Sequence, residues 1–222
     1  MEPQSAFSLI EWHEILDSTN NEAKREFPRL DNLSIVAAVE QTAGRGRGTH
    51  TWVSKPGENL TFSIILKLPA AFLAAGEAVR IMHLCSVSLC KFLEKEGVEP
   101  RIKWPNDIWV EDSKIAGILI ENIFSEGYLV SSIIGVGLNL NQKEFDPLLP
   151  NPSSLGLITS KYYELSATLD DFYKIFCRLY SELGSESGRA RLELEFSKRM
   201  FVLEKPVQDR LGKAIEDFEA AK

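Results

Sequence analysis

Apolar positions along the chain change period several times, and those changes predict the elements. Residues 7–15 (FSLIEWHEI) alternate apolar and polar, which predicts a half-buried strand. Asp17-Ser18-Thr19-Asn20 then opens a short helix: Ser18 or Thr19 is the N-cap, Glu22 sits in capping-box position after Thr19, and Pro28 ends it. Residues 33–40 (LSIVAAVE) form a continuous apolar run of buried-strand length, and residues 59–68 (NLTFSIILKL) a second strand. Residues 75–96 carry no proline and place Ala78, Val79, Met82, Cys85, Leu89, Phe92 and Leu93 at helical spacing. They predict one long, mostly buried helix, stopped by Gly97 and Pro100.

Strands return at RIKW, DIWV, KIAGILIENIF and YLVSSIIGVGLNLN, separated by the turns EDS (111–113) and SEG (125–127). Residues 142–158 read as loop, and residues 168–183 and 188–200 as amphipathic helices. Strands fill the middle, one helix interrupts them and helices close the chain, so the fold class is α+β. At 222 residues the chain is one domain or one domain with a small appendage.

The formal net charge of -7 excludes a dedicated nucleic-acid-coating protein, which needs a basic surface. Three cysteines, Cys85, Cys90 and Cys177, with no CxxC pair, read as reduced thiols of a cytoplasmic protein. The start of the chain has no signal-peptide pattern, and no apolar run is long enough to span a membrane. His13, His50 and His83 are isolated, and there is no GxSxG elbow, so neither a zinc site nor a serine hydrolase is indicated.

Four segments carry candidate chemistry. Gly44-Arg45-Gly46-Arg47-Gly48 alternates guanidinium groups with residues that let the backbone approach a ligand, which suits a mobile loop over an anion. Taken alone it is equally a solvated hairpin loop, and it is neither a P-loop nor a dinucleotide fingerprint. In Lys103-Trp104-Pro105-Asn106-Asp107 the proline interrupts strand pairing, and Asp107 at the bend suits a metal or a lysine partner; alone the segment is an Asx-type turn. Lys114 opens the strand KIAGILIE, where a cation can neutralise developing phosphate charge, and Gly117 within it implies a close approach by a ligand. An edge lysine and a bulge glycine are the plainer readings. In Gly135-Val136-Gly137-Leu138-Asn139-Leu140-Asn141 the two asparagines share a face and need partners, from ligand, metal or backbone. The tryptophans read as structural, with Trp52 and Trp104 flanking the suspected site.

As an ordered set, Ser18-Thr19-Asn20, Glu40 to Arg47, Lys103 to Asp107, Lys114 to Glu121 and Gly135 to Asn139 resemble the biotin–protein ligases. The resemblance covers about residues 8–145. It implies a mainly antiparallel mixed sheet backed by helices, shared with lipoate ligases and class II aminoacyl-tRNA synthetases. It also implies a two-step reaction. Biotin and Mg·ATP give biotinyl-5′-AMP and pyrophosphate, and a lysine of a biotin carboxyl carrier protein then takes the biotinyl group. By the same resemblance, biotin is bound by Ser18, Thr19, Asn20, Gln41, Thr42, Gly44, Arg45, Gly46, Gly48 and Gly117. The nucleotide falls to Arg47, Lys103, Trp104, Asn106, Asp107, Lys114 and Asn139. Lys114, Arg47 and Asp107 are the catalytic set, with Asp107 also a metal ligand.

Gly48-Thr49-His50-Thr51 replaces a basic pair that many relatives carry. The match begins almost at the first residue, so no DNA-binding domain and no DNA partner are expected. Residues 1–200 are the expected catalytic domain, and 201–222 the start of a C-terminal SH3-like barrel. The strong strands suit a homodimer by sheet extension, and equally a buried sheet. The rivals are a lipoate or octanoyl ligase and a binder without turnover.

Overall fold

The computed structural model describes residues 9–201. In chain order the elements are β1 (Ile10–Leu16), α1 (Thr19–Arg25), β2 (Ile35–Gln41), β3 (Leu60–Lys67), β4 (Leu73–Ala74), α2 (Val79–Lys95), β5 (Pro100–Lys103), β6 (Asp107–Val110), β7 (Ser113–Ser125), β8 (Tyr128–Leu138), α3 (Leu155–Thr159), α4 (Leu165–Glu182) and α5 (Glu186–Arg199). One eight-stranded sheet runs in the order β1-β2-β3-β8-β7-β6-β5, with β4 paired to β8. Among the described strands only β1 and β2 pair in parallel; every other strand pair is antiparallel. The expected mixed, mainly antiparallel α+β architecture is the one observed.

The two faces of the sheet differ because side chains alternate along each strand. On β3, Leu60, Phe62, Ile64 and Leu66 enter the main core with α2, α4 and α5, where Phe62, Phe172 and Phe176 form a chain of tilted ring contacts. On β8, Ile134, Val136 and Leu138 do the same. The intervening residues face the other way, and here the sequence turns small: Thr61 and Ser63 on β3, Gly135 and Gly137 on β8, Gly117 on β7. The register brings them together, with Thr61 opposite Gly137, Ser63 opposite Gly135 and Gly117 opposite Gly137. Helix α1 covers one end of this face through a satellite core of Ala23, Val36, Ile65 and Ile133. The uncovered remainder is a cleft floored by backbone.

Several boundaries move from their sequence expectation. The long helix begins at Val79, because β4 pairing pulls the preceding backbone to the sheet and Ala75 N–H donates to Gly127 O at 2.9 Å; residues 75–77 form a 3-10 turn instead. Strand β8 ends at Leu138, where Asn139 N–H turns to Ile115 O. Part of the expected 142–158 loop is helix α3, capped by Ser154, whose hydroxyl accepts from Leu157 N–H. Helices α4 and α5 start earlier than their periodicity indicates, because Glu164 and Ser185 cap them. The β7–β8 hairpin closes with Glu126 and Gly127 both at positive φ, as a two-residue type I′ turn requires. The first residues of the expected 7–15 strand and the tail beyond Phe201 lie outside the described residues.

Candidate active site

The cleft over the glycine floor has a volume of about 770 Å³. Three parts of the chain surround it: the start of α1, the loop after β2 and the mouths of β6 and β7.

The α1 end is polar. Ser18, Thr19 and Asn20 are almost wholly buried there. Ser18 is the N-cap, but its side chain makes no capping bond. The expected capping box is absent, since Glu22 pairs with Arg25. Gln41 caps instead: its Oε1 accepts Thr19 N–H at 2.8 Å. Beneath it, Ser63 Oγ lies 2.8 Å from Thr19 Oγ1 and 2.6 Å from Asn20 Oδ1. An amide oxygen only accepts, so the Ser63 proton goes to Asn20. Thr19 Oγ1 stands as an acceptor toward Ser63, and its own proton goes to Gln41 Oε1 at 3.2 Å. The Thr19 hydroxyl therefore offers lone pairs to the cleft, beside the Gln41 Nε2 donors. An acceptor next to a donor suits a ligand group with an N–H adjacent to a carbonyl.

The loop after β2 folds as a small hairpin. Arg45 and Thr51 bridge, Gly46 N–H donates to His50 O at 2.8 Å, and Trp52 N–H to Gly44 O at 2.9 Å. Of the three loop glycines, only Gly48 has positive φ, at the tip. At Gly44 a Cβ would collide with Trp52 O, and at Gly46 it would lie 3.1 Å from His50 O. Hairpin closure, and not ligand approach, excludes a side chain at these two. The hairpin lays Trp52 on the glycine floor. Its indole covers Gly117 and Gly137, with Lys114 Nζ 5.7 Å from the ring centre. The close approach expected at Gly117 is therefore made by this indole. Its Nε1 is buried and has no hydrogen-bond partner among the described residues. Among the expected site residues Trp52 was only a flanking one; its spacing from the arginine loop was the available signal.

The two loop arginines part company. Arg47 is exposed, lines the cleft and makes no ion pair among the described residues. Arg45 also reaches the cleft wall, but its guanidinium bonds Asn21 Oδ1 at 3.1 Å and Glu121 Oε1 at 3.1 Å. Burial alone would raise the Glu121 carboxyl, but hydrogen bonds from Lys24 and Asn20 and the charge of Arg45 outweigh it and hold it below the usual range.

At the far end, Lys114 Nζ pairs with Asp107 Oδ1 at 2.8 Å. The pairing is ionic and not a directed hydrogen bond, so Asp107 Oδ1 has no hydrogen-bond donor. Asn106 sits at the bend, its Nδ2 donating to Ile118 O at 3.2 Å. Among the described residues Asp107 is the one carboxylate lining the cleft, against Lys114, Arg45 and Arg47. The cleft is thus cationic and suits an anion. No cluster of three or more His, Cys, Asp or Glu suited to a metal occurs among the described residues. Gln41 and Lys114 stand on strands three spacings apart, roughly 14 Å. Between them lie Trp52, Leu119 and the floor, so the cleft takes a polar head, an apolar middle and an anionic end.

Ser18, Thr19, Asn20, Gln41, Arg45, Gly46, Arg47, Gly48, Asn106, Asp107, Lys114 and Gly117 are brought together as expected. Thr42, Gly44, Lys103, Trp104 and Asn139 are not among the cleft-lining residues. Lys103 Nζ stacks over the Trp109 ring, 4.3 Å from its centre. Trp104 packs edge-on against Phe196. Thr42 is exposed and reaches Leu16 O. The two asparagines are satisfied by backbone: Asn139 Nδ2 donates to Ser153 O at 2.9 Å and Asn141 Nδ2 to Tyr163 O at 2.7 Å. Asn139 still serves the site indirectly, because the strap it holds bonds both backbone groups of Lys114.

Residues 12–139 match the Biotin/lipoate A/B protein ligase family. The chain is 34% identical over 137 residues to the bifunctional ligase/repressor BirA of Bacillus subtilis, covering 61% of this chain and 41% of that protein. It is 30% identical over 202 residues to the biotin--[acetyl-CoA-carboxylase] ligase of Paracoccus denitrificans, covering 89% of this chain and 83% of that one. Among solved structures, the biotin protein ligase from Aquifex aeolicus in complex with biotin and ATP aligns with a TM-score of 0.74 at 25% identity, over 86% of this chain and 78% of that one. The chain spans only 41 to 61% of the length of the bifunctional ligase/repressors from Bacillus subtilis, Escherichia coli and Salmonella typhimurium.

Proposed function

This chain belongs to the biotin/lipoate A/B protein ligase family, and on that premise we propose that it activates biotin with ATP and transfers it to a lysine of a biotin carboxyl carrier protein. The observation that carries the choice of biotin is the head pocket, where the Thr19 acceptor stands beside the Gln41 donors. A cyclic urea offers an N–H and a carbonyl to this pair. The dithiolane of lipoate offers neither and would leave both groups unpaired, and an unpaired buried polar group is what a selective site exploits.

The bicyclic body of biotin packs against Trp52 over the glycine floor, and its carboxylate points to Lys114. There the carboxylate oxygen attacks the α-phosphorus of ATP, a P–O bond forms and pyrophosphate leaves. Lys114 lies where charge builds on both reacting groups, and Asp107 aims it through their ion pair. Arg47, free at the hairpin, closes over carboxylate and phosphate and keeps water from the mixed anhydride. The carrier lysine, as the free amine, then attacks the acyl carbon; biotinyl-lysine forms and AMP leaves. Mg²⁺, when bound, would neutralise phosphate charge, and Asp107 is the cleft carboxylate that would hold it.

The chain has no helix long and apolar enough to cross a membrane among the described residues. Its three free cysteines support a reducing, cytoplasmic setting. The test is transfer itself. With biotin, ATP and Mg²⁺, a biotin carrier domain gains one biotinyl group and its Lys→Arg variant gains none. A carrier left unmodified, or one modified equally with lipoate, overturns the reading.

A further inference from the structure

One carboxylate outside the cleft wall touches both halves of the site. Glu121 stands on β7, on the same face as Gly117. Its Oε1 takes Lys24 Nζ at 2.7 Å and Arg45 Nη2 at 3.1 Å. Its Oε2 takes Asn20 Nδ2 at 2.9 Å. Because a carboxylate only accepts, Asn20 must present its amide nitrogen to Glu121, and its Oδ1 is left to face Ser63. That orientation draws the Ser63 proton to Asn20 and seats Ser63 against the Thr19 hydroxyl. The Asn20 amide is also wedged against Gly135, where any Cβ would collide with Oδ1. The hydrogen-bond direction from Ser63 through Asn20 to Glu121, in contact with Thr19, is therefore set at its charged end.

We propose that Glu121 is a positioning residue for both ligand-binding elements: it tethers the base of the arginine hairpin through Arg45, and through Asn20 and Ser63 it holds the Thr19 hydroxyl in place for the cyclic-urea head. The inference rests on the biotin reading of the cleft. It makes the two branches separable. The tether acts without ligand, and the relay acts only on the head group.

The test is a pair of double-mutant cycles built on Glu121→Gln, which keeps the size but removes the charge and lets residue 121 offer an N–H to Asn20. In the first, biotin affinity is titrated with Thr19→Val as partner. Glu121→Gln alone weakens biotin roughly tenfold, and in the Thr19→Val background it costs nothing further. In the second, tryptic cleavage after Arg47 is timed without ligand, with Arg45→Met as partner. Glu121→Gln speeds cleavage several-fold, and in the Arg45→Met background not at all. Additive effects in either cycle overturn the proposal, since a merely structural carboxylate would act independently of both partners. Ser63→Ala is the second variant should Glu121→Gln fold poorly: it weakens biotin and leaves the cleavage rate unchanged. Unchanged biotin affinity in Ser63→Ala overturns the relay. A wild-type chain that binds no biotin overturns the ligase reading and this inference with it, whereas normal wild-type binding with additive cycles overturns this inference alone.

Discussion

Gly137→Ala is the sharpest single perturbation of this site. A Cβ at residue 137 would stand 2.5 Å from Trp52 Cζ2 and Nε1, and nearer still to Cε2. Carbon atoms prefer about 3.5–4.0 Å, so the overlap is about 1 Å. The indole has little room to slide toward β7, because it already lies against the Gly117 backbone there. It must lift, and lifting pulls on the hairpin bond from Trp52 N–H to Gly44 O. Overpacking of this kind costs about 1–3 kcal/mol. Strain beside a surface hairpin is relieved in the hairpin and not in an eight-stranded sheet, so the cost falls on ligand binding. The dissociation constant for biotin should rise about 5- to 150-fold, while the unfolding free energy in urea stays within about 1 kcal/mol of wild type. Calorimetric titration and urea denaturation read the two quantities. Wild-type affinity in Gly137→Ala would show that Trp52 is no wall of the ligand site. Loss of a cooperative unfolding transition would show that the strain went into the sheet.

Lys114→Ala should abolish pyrophosphate release from biotin and ATP with the circular dichroism spectrum unchanged; wild-type release would remove Lys114 from the chemistry. Arg47→Gly should let biotinyl-adenylate escape, seen as labelling of bystander lysines in a lysate supplied with biotin, and labelling confined to the carrier would refute the lid role. Thr19→Val should weaken biotin by about 1–3 kcal/mol by leaving a polar ligand group unpaired, and an unchanged dissociation constant would reduce Thr19 to a helix residue. At acid pH, Glu195 is informative. The Arg199 hydrogen bond, with those of Lys91 and Lys198, outweighs burial and holds its carboxyl at about 2 against an ordinary 4.5. A depressed folded-state value contributes stability above the unfolded value and loses it as pH falls toward the folded one. Glu195→Gln should therefore lose stability at neutral pH and flatten the fall in wild-type stability below 4.5; an unchanged acid slope would refute the coupling.

Strand existence was legible because half-buried and buried strands write their period directly, as Leu60 to Lys67 does. What periodicity missed was set by single contacts. Ala75 leaves the helical register because its N–H is taken by Gly127 O, and α3 is a five-residue helix, too short for a period to show. The site was legible as motifs but not as roles. The spacing of Gly44 and Gly46 pointed to ligand approach, yet each faces the opposite arm of its own hairpin. Arg45 and Arg47 look equivalent in sequence; only the fold brings Glu121, 76 residues away, to the first and not the second. Asn139 and Asn141 share a face, but long-range backbone carbonyls satisfy both. Ser63 carried no motif, and its place under Thr19 follows only from strand register.

The central claim is an adenylating site that reads a cyclic urea, and pyrophosphate release from ATP tests it most directly. With Mg²⁺ present, biotin should trigger stoichiometric release from this chain, while lipoate and octanoate at equal concentration should trigger none. Release with lipoate in place of biotin, or with neither, would contradict the account.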